Sequence, residues 1–234
     1  TKVDEVIQNS FAMGVDKMVV VGYDLKSSLL AVELAERFDC VYATIGYHPT
    51  DSVKLTNEDY LKTIELANHP KVVAIGEIGL DYYWIKDPIE RDIQKKWFIT
   101  QINLANKVKK PIVIHSRDAN EECLKILKEN KPEYGAVMHC YSGSVEMLKQ
   151  VLDMGMLISL GGPVTFTNAR TPKEVAFTVP LDKLLVETDS PYLTPHPYRG
   201  KENYPGYTKL VVEEIARIKG LSVEEVSEIT YDNA

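Results

Sequence analysis

Several features are scarce or missing in this sequence, and each absence excludes a class of protein. It contains three cysteines, Cys40, Cys123 and Cys140, with no CxxC spacing, which argues against a disulfide framework and against a cysteine-based zinc site. No apolar run reaches the ~18 residues that span a bilayer, and no charged segment followed by an apolar stretch opens the chain. We therefore expect reduced thiols, a cytoplasmic location and no membrane partner.

The sequence also lacks an excess of basic residues. It carries 27 Lys and Arg against 34 Asp and Glu, a net charge of -7. A protein that holds nucleic acid by general electrostatic attraction presents a basic face. A polyanionic substrate would therefore need a local source of positive charge, and bound metal ions are one such source.

What the 234 residues do contain is an alternation of short β-branched runs with longer amphipathic segments. Buried strands that alternate with helices are typical of a parallel sheet covered by helices. Chains of this length form α/β barrels as one unit, so we predict a single domain over residues 1–234. The predicted strands are the seven runs 17–23, 41–47, 72–80, 111–115, 135–140, 156–160 and 184–189.

The segments between the runs carry helix signals. Pro88 suits a first helical turn, and the spacing of acidic residues after Asp118, Thr171 and Ser222 predicts three capping boxes. Further apolar residues recur at helical spacing, and three glycines stand where helix C-caps would fall. These residues are Val3, Val6, Ile7 and Phe11; Leu30, Leu34 and Phe38; Ile89, Ile93 and Trp97; and the glycines Gly14, Gly155 and Gly220.

The choice between an open sheet and a closed barrel depends on the polar residues. Four of them stand at or just beyond the ends of different runs, which is where barrel enzymes carry their active sites: Glu77, His115, His139 and Asp189. No GxGxxG or GxxxxGK[ST] motif marks a phosphate-binding loop of an open sheet. We predict a TIM-like (β/α)8 barrel, and because there are seven runs we expect its first strand to be missing from this chain.

The same four residues suggest chemistry. Any one of them alone is explained equally well as a core histidine or as a helix-capping carboxylate. Two imidazoles and two carboxylates at the same end of successive strands match the nitrogen and oxygen ligand set of a divalent metal hydrolase.

Six motifs carry a resemblance to a known family. They are GYHP at 46–49, GEIGLDYY at 76–83, IHSRDA at 114–119, HCYSG at 139–143, SLGGPVTF at 159–166 and ETDSPYLTP at 187–195. In this order they resemble the signatures of the TatD-type metal-dependent deoxyribonucleases, a branch of the amidohydrolase-like barrels, over nearly the whole chain. The resemblance implies a TIM-like barrel, one or two divalent metals, and hydrolysis of phosphodiester bonds in DNA.

The resemblance also implies roles for single residues. Glu77, His115, His139 and Asp189 match the metal ligands of the family, and the aspartate also serves in proton transfer. The family's first strand carries a His-x-His pair that is absent here, where the histidines are His48, His69, His115, His139 and His196. We therefore expect a chain clipped at both ends, with one metal site more complete than the other.

The implied mechanism is metal-assisted hydrolysis, in which a divalent ion lowers the pKa of a bound water toward ~7. Asp189 would orient or deprotonate that water. The resemblance puts His48 near the site, where the alternative is a turn histidine before Pro49. Asp81 is expected to support a ligand histidine or Arg117.

Other side chains near the motifs have two interpretations each. Arg117, Arg199 and Lys201 are candidates to contact phosphates, or they are solvated loop cations. Tyr82, Tyr83 and Trp84 are candidates to stack on unpaired bases, or they pack under the barrel rim.

Two alternatives to a DNA hydrolase stay open. An amidohydrolase would cleave a C–N or carboxylic ester bond, but such enzymes often bridge their metals with a modified lysine where this chain has Glu77. The other alternative is a non-catalytic protein with an incomplete site. The sequence does not choose among zinc, manganese, magnesium and nickel. The resemblance implies DNA as the substrate, and no protein partner can be inferred.

Overall fold

The computed structural model describes residues 2–234 and bears out the predicted alternation of strands and helices. Over that range, seven strands coincide with the seven predicted runs: β1 Met18–Val21, β2 Val41–Ile45, β3 Val72–Asp81, β4 Ile112–Arg117, β5 Ala136–Met138, β6 Leu157–Leu160 and β7 Leu184–Val186. The helices are α1 Lys2–Ala12, α2 Leu25–Arg37, α3 Pro49–Ser52, α4 Asn57–Ala67, α5 Pro88–Val108, α6 Asn120–Glu129, α7 Val145–Asp153, α8 Arg170–Thr178, α9 Thr208–Lys219 and α10 Val223–Asp232.

The chain divides into two compact units. The unit Lys17–Met138 contains β1 to β5 as a parallel sheet, in which each strand pairs with the next along the sequence. Its core is aliphatic, and Ile45, Ile75 and Ile114 are fully buried. Because the strands are parallel, their carboxyl ends lie at one edge of the sheet.

An irregularity in β3 sets the position of Glu77. Ile75 pairs with Ile112 and Ile78 pairs with Ile114, so that Gly76 and Glu77 together lie opposite one residue of β4. Such a bulge re-aims the side chains of a strand and is common beside active sites. Glu77 therefore lies within β3, whereas the sequence placed it at the end of the strand.

The close approach of β3 to β4 depends on a glycine. Gly79 pairs with His115 and has a φ of +146°. A Cβ atom at this position would lie 2.0 Å from the carbonyl oxygen of His115. Only glycine lets the two strands run together beside the histidine. His115 is also inside its strand, because β4 continues to Arg117.

The other unit comprises residues 2–16 and His139–Ala234. In it β6 pairs with β7 in parallel, and the apolar faces of α8, α9 and α10 provide buried residues such as Val175, Ile215 and Val226. α1 buries Ile7, but Phe11 on the expected apolar face is 46% exposed.

The helix signals are confirmed in part. Pro88 opens α5, Ser222 caps α10 by accepting a hydrogen bond from the Glu225 backbone N–H, and Gly220 is the left-handed C-cap of α9. Gly14 and Gly155 follow α1 and α7 with positive φ angles, as expected of C-cap glycines.

The capping boxes at Asp118 and Thr171 are wrong. Asp118 adopts a φ of +53° in the turn after β4, and the N-cap of α6 is Ala119. Thr171 lies inside α8, whose N-cap is Ala169. Neither cap residue makes a side-chain hydrogen bond. Among the described residues no helix combines the length and the apolar composition needed to cross a bilayer.

Candidate metal centre

His115 lies between two carboxylates of β3. Its Nδ1 is 2.8 Å from Glu77 Oε1, and its Nε2 is 3.0 Å from Asp81 Oδ2. Asp81 is buried, and burial alone would raise its pKa. The hydrogen bonds from His115 and from the Trp84 backbone N–H, together with the nearby imidazoles, instead hold the pKa of Asp81 below its usual value. Asp81 thus contacts His115, and its support of a metal-bound histidine stays a prediction.

His48 contacts the same group from the loop after β2. Its ring packs edge-on against the His115 ring at 4.3 Å between centroids, and its Nε2 lies 3.7 Å from Glu77 Oε1. Its Nδ1 accepts a hydrogen bond from the Thr50 backbone N–H at the start of α3. The two interpretations of His48, as a turn histidine and as a residue of the site, are therefore compatible. The turn that His48 caps orients its ring toward Glu77.

The donor atoms of this group fit a divalent cation. One donor each from His48, Asp81 and His115 lie within 4.8 Å of one another, so the geometry also allows His48 and Asp81, which the sequence assigned to substrate binding and to support, to act as ligands. Ligand atoms at 2.0–2.2 Å from a zinc ion are at most about 4.4 Å apart, so small side-chain shifts suffice. A neutral imidazole has a single N–H, yet both nitrogens of His115 face carboxylates. Replacing a proton by a cation would satisfy this arrangement of nitrogen and oxygen donors.

Two buried glutamines of α5, which the sequence reasoning missed, fix the backbone around these residues. Gln94 accepts a hydrogen bond from the Asp81 backbone N–H at 3.0 Å and donates to its carbonyl. Gln101 makes the same pair of contacts with Tyr47, accepting at 2.8 Å and donating at 3.4 Å. Both amides are at most 1% exposed. The signal that could have revealed them is a pair of glutamines seven residues apart on one helix face.

A second histidine–carboxylate pair lies in the other unit. His139 Nδ1 is 3.3 Å from Glu187 Oε1, while the other oxygen of Glu187 accepts hydrogen bonds from Ser159 Oγ and from the Cys140 backbone N–H. Burial alone would raise the pKa of Glu187, but His139 and these donors hold it below its usual value. The sequence reasoning gave Glu187 no role of its own.

Asp189 lies in the turn after β7. It is exposed and adopts a φ of +57°. Asp118 after β4 and Cys140 after β5 share this left-handed conformation, with φ values of +53° and +43°. Non-glycine residues rarely adopt it, and such backbone strain is concentrated at functional sites.

Arg117 ends β4 among aromatic side chains. Its guanidinium carbon lies 3.9 Å from the centre of the Tyr83 ring and 5.8 Å from that of Trp84. Both aromatic residues are exposed and lie in the turn directly after β3. The packing of these aromatics under the rim, one of the two interpretations of the sequence, does not hold for Tyr83 and Trp84.

Comparisons with known proteins agree in their result. A family model described as TatD related DNase matches residues 1–234. A Bacillus subtilis (strain 168) protein named "Uncharacterized metal-dependent hydrolase YabD" is 50% identical over 235 residues, which cover 100% of this chain and 91% of that protein. The Escherichia coli (strain K12) protein named "Uncharacterized metal-dependent hydrolase YcfH" is 40% identical, with 99% and 86% coverage.

A solved structure gives the same result for the fold. The crystal structure of YJJV, a TatD homolog from Escherichia coli k12, matches with a TM-score of 0.93 and 26% identity over 99% of this chain and 90% of that one. This likeness confirms the predicted fold class, a TIM-like barrel of parallel strands and helices.

Proposed function

The chain belongs to the family of TatD-related DNases and is a metal-dependent hydrolase, and from this premise we propose that it cleaves phosphodiester bonds of DNA. The observation that carries the proposal is the group around His115, where Glu77 and Asp81 contact its two ring nitrogens at 2.8 Å and 3.0 Å. An imidazole held between carboxylates is a donor set for the cation that a phosphate substrate requires.

We propose that Glu77, His115, His139 and Asp189 are the metal ligands, holding one or two divalent ions. When bound, such an ion lowers the pKa of a water molecule and offsets the charge of the phosphate oxygens. Imidazole and carboxylate donors suit zinc, manganese or nickel, and magnesium binds chiefly through carboxylates and water. A cation at this position also answers the objection raised by the net charge of -7.

The side chains of the protein provide the remaining steps. Asp189, exposed after β7, accepts the proton that the attacking water loses as its oxygen bonds to phosphorus. The ester P–O bond breaks, and the leaving oxygen takes up a proton to become a hydroxyl group. Arg117 and His48 bind the phosphate. Asp81 and Glu187 keep the rings of His115 and His139 in one orientation.

The same proposal includes a cytoplasmic location. Cys40, Cys123 and Cys140 are free thiols, as is usual in a reducing compartment. DNA is the proposed substrate.

The test is a cleavage assay on the whole chain. The protein is loaded with manganese or zinc and incubated with end-labelled single-stranded DNA and with a model amide. We expect DNA shortening that stops with a chelator, and a rate about 10²- to 10⁴-fold lower for Asp189→Asn, which removes a general base. Glu77→Ala should lose metal on purification.

Asp182→Asn is the matched control for this assay, because Asp182 is exposed at the opposite end of β7 and should leave the rate unchanged. Turnover of the amide alone would replace the proposal with the amidohydrolase alternative. No turnover of either substrate by metal-loaded protein would favour a non-catalytic role.

A further inference from the structure

One buried amide holds the backbone on both sides of Asp189. Asn203 is 2% exposed, and its Nδ2 donates to the carbonyl oxygens of Thr188 at 2.8 Å and of Tyr192 at 2.6 Å. The Asn203 backbone N–H donates to the Pro191 carbonyl at 3.1 Å. We call these three contacts the asparagine clamp. They fix the residue before Asp189 and two residues shortly after it.

The orientation of the Asn203 amide follows from its partners. Its Oδ1 accepts a hydrogen bond from the Tyr204 backbone N–H at 2.9 Å, a group that can only donate. Its Nδ2 therefore faces the Thr188 and Tyr192 carbonyls, which can only accept. Both protons of the amide are used in this way, so the side chain serves the backbone of the loop and nothing else.

The backbone at Asp189 requires such support. Asp189 has a φ of +57° and Leu193 a φ of +53°. Non-glycine residues rarely adopt this conformation, and they keep it where the surrounding structure holds them in place. Between the two, the Tyr192 N–H donates to the Asp189 carbonyl at 2.9 Å and closes a turn. By fixing this turn, the clamp fixes the direction of the Asp189 Cα–Cβ bond.

The next part of the loop is held from another side. A Cβ atom on Gly162 would lie 1.8 Å from the Leu193 carbonyl oxygen, so the loop lies directly on the glycine backbone. The Thr165 Oγ1 accepts a hydrogen bond from the His196 backbone N–H at 2.8 Å. The turn before these residues is therefore held between their contacts and the clamp.

We propose that Asn203 is a positioning residue for Asp189. The proposal rests on the proposed function, in which Asp189 binds a metal ion and accepts the proton of the attacking water, and it adds the residue that places this carboxylate. A displacement of about 1 Å at a reacting group can lower a rate by about 10²-fold. Loss of the clamp should therefore affect metal binding and turnover, beyond its effect on folding.

The opposite end of β7 offers a matched control. Asn233 Nδ2 donates to the carbonyl oxygens of Leu181 and Leu184, at 2.8 Å each. Asn233 thus makes the same type of contact at the start of the strand, away from Asp189. Asn203→Asp and Asn233→Asp each remove both amide protons and leave the size of the side chain almost unchanged.

Three measurements on the whole chain compare the two variants with the parent. Urea denaturation measures stability, titration of metal-free protein with manganese measures metal affinity, and cleavage of end-labelled DNA at saturating manganese measures kcat and KM. We expect both variants to unfold at a lower urea concentration, because each loses two hydrogen bonds.

Only Asn203→Asp should also change the site. We expect its manganese affinity to fall by about 10- to 100-fold and its kcat by about 10²-fold. Its KM should stay the same, because the contacts with the phosphate are made by other residues. Asn233→Asp should match the parent in all three quantities.

A double variant tests whether Asn203 acts through Asp189. Asp189→Asn by itself should weaken manganese binding, and the addition of Asn203→Asp should weaken it little further, since residues that act as one unit are not additive. Asn203→Ala introduces no charge and gives the same measurements if the new carboxylate hinders folding.

Manganese affinity and kcat of Asn203→Asp that equal those of Asn233→Asp would overturn the proposal, because the clamp would then be only structural. A full additional loss in the double variant would overturn it as well. A parent protein that cleaves no DNA would contradict the proposed function alone, and the manganese titrations would still decide the role of Asn203. Cleavage by the parent with unchanged kcat and metal affinity in Asn203→Asp would contradict the clamp alone.

Discussion

At the scale of single residues, the most informative contacts join a histidine to a carboxylate. Asp81 accepts from His115, and Glu187 Oε1 lies 3.3 Å from His139 Nδ1. A carboxylate at one ring nitrogen fixes the tautomer and orientation of an imidazole and increases the basicity of the other nitrogen. The two pairs lie in different units of the chain, and in both of them hydrogen-bond donors help to hold the pKa of the carboxyl group below its usual value.

The Glu187–His139 pair gives a prediction for metal binding. Glu187→Gln keeps the shape of the side chain and the contact with Ser159 but loses the negative charge beside His139. We expect the affinity for zinc or manganese to fall by about 10- to 100-fold while the protein stays folded, since supporting carboxylates typically contribute that much. Isothermal titration of metal-free protein measures the change.

Glu228→Gln provides the control for this titration, because Glu228 is exposed on α10. Unchanged metal affinity for Glu187→Gln would mean that the His139 ring does not depend on its carboxylate partner.

Several residues of the candidate site could be predicted from the sequence. His115, His139 and Asp81 could be singled out as candidates because ionisable side chains in or beside apolar strands are rare and costly, and their roles stay predictions. The position of Glu77 could not be found, because a bulge depends on the register between two strands and leaves no mark in one of them. Gln94 and Gln101 were missed because their role is to satisfy the backbone of residues far along the chain.

At the scale of elements, α8 and α9 are joined by charged side chains. Glu214 of α9 bonds Arg217 through two contacts of 2.8 Å and lies 3.8 Å from Lys173 of α8. The hydrogen bonds with Arg217 hold the pKa of Glu214 below its ordinary value of 4.5, against a smaller opposing effect of burial.

This lowered pKa predicts a pH dependence. A carboxyl group whose pKa is lower in the folded state adds stability above its unfolded pKa, and this stability is lost as the pH falls through the folded pKa. We expect Glu214→Gln to lower the free energy of unfolding by about 1 kcal/mol or less at pH 7. The difference from the parent should shrink as the pH falls below about 4.5.

Urea denaturation at pH 7 and at several acidic values measures this difference. Glu213→Gln is the neighbouring control, and it should track the parent at every pH. A Glu214→Gln deficit that stays constant down to pH 3 would contradict the assignment to the ionised carboxylate.

Strands and helices were predictable to different degrees. All seven strands were found because short β-branched runs are distinct from amphipathic segments. Signals were found for most of the helices but not for α3 and α4, and the buried faces were not always right. In α5 Ile89 is 72% exposed, while Phe98 and Ile102 are buried. The face that a helix buries is decided by the sheet against which it packs, and a local pattern with apolar residues on two sides does not reveal it.

At the scale of the whole molecule, the family and the fold class were both within reach of the sequence, because six motifs in order are specific to one family. The prediction of a single domain over 1–234 stays a prediction. So do the cleavage of DNA and the metal ligands, since residue types predict a donor set but not the ion that fills it.

Metal binding should appear in the stability of the whole chain. A ligand that binds only the folded state at 100 times its Kd adds about 2.7 kcal/mol. For a protein of this size 1 kcal/mol corresponds to roughly 2–4 °C. We therefore expect zinc or manganese to raise the Tm of metal-free protein by about 5–10 °C, as measured by calorimetry.

Glu77→Ala should reduce this rise, and the exposed-site variant Asp182→Asn should keep it. If the Tm of the parent is the same with metal and with chelator, metal does not bind preferentially to the folded chain, and the proposed metal centre is wrong.

The two glutamines of α5 have a consequence for the loops around the site. Gln94 and Gln101 are seven residues apart, which in an α-helix is close to two turns and about 10 Å along the axis. Gln94 bonds the backbone of the last residue of β3, and Gln101 bonds the backbone two residues after β2, so α5 spans the ends of both strands. The pitch of α5 therefore sets the distance between the His48 turn and Asp81. The connecting loops are thereby free to vary in length without changing that interval.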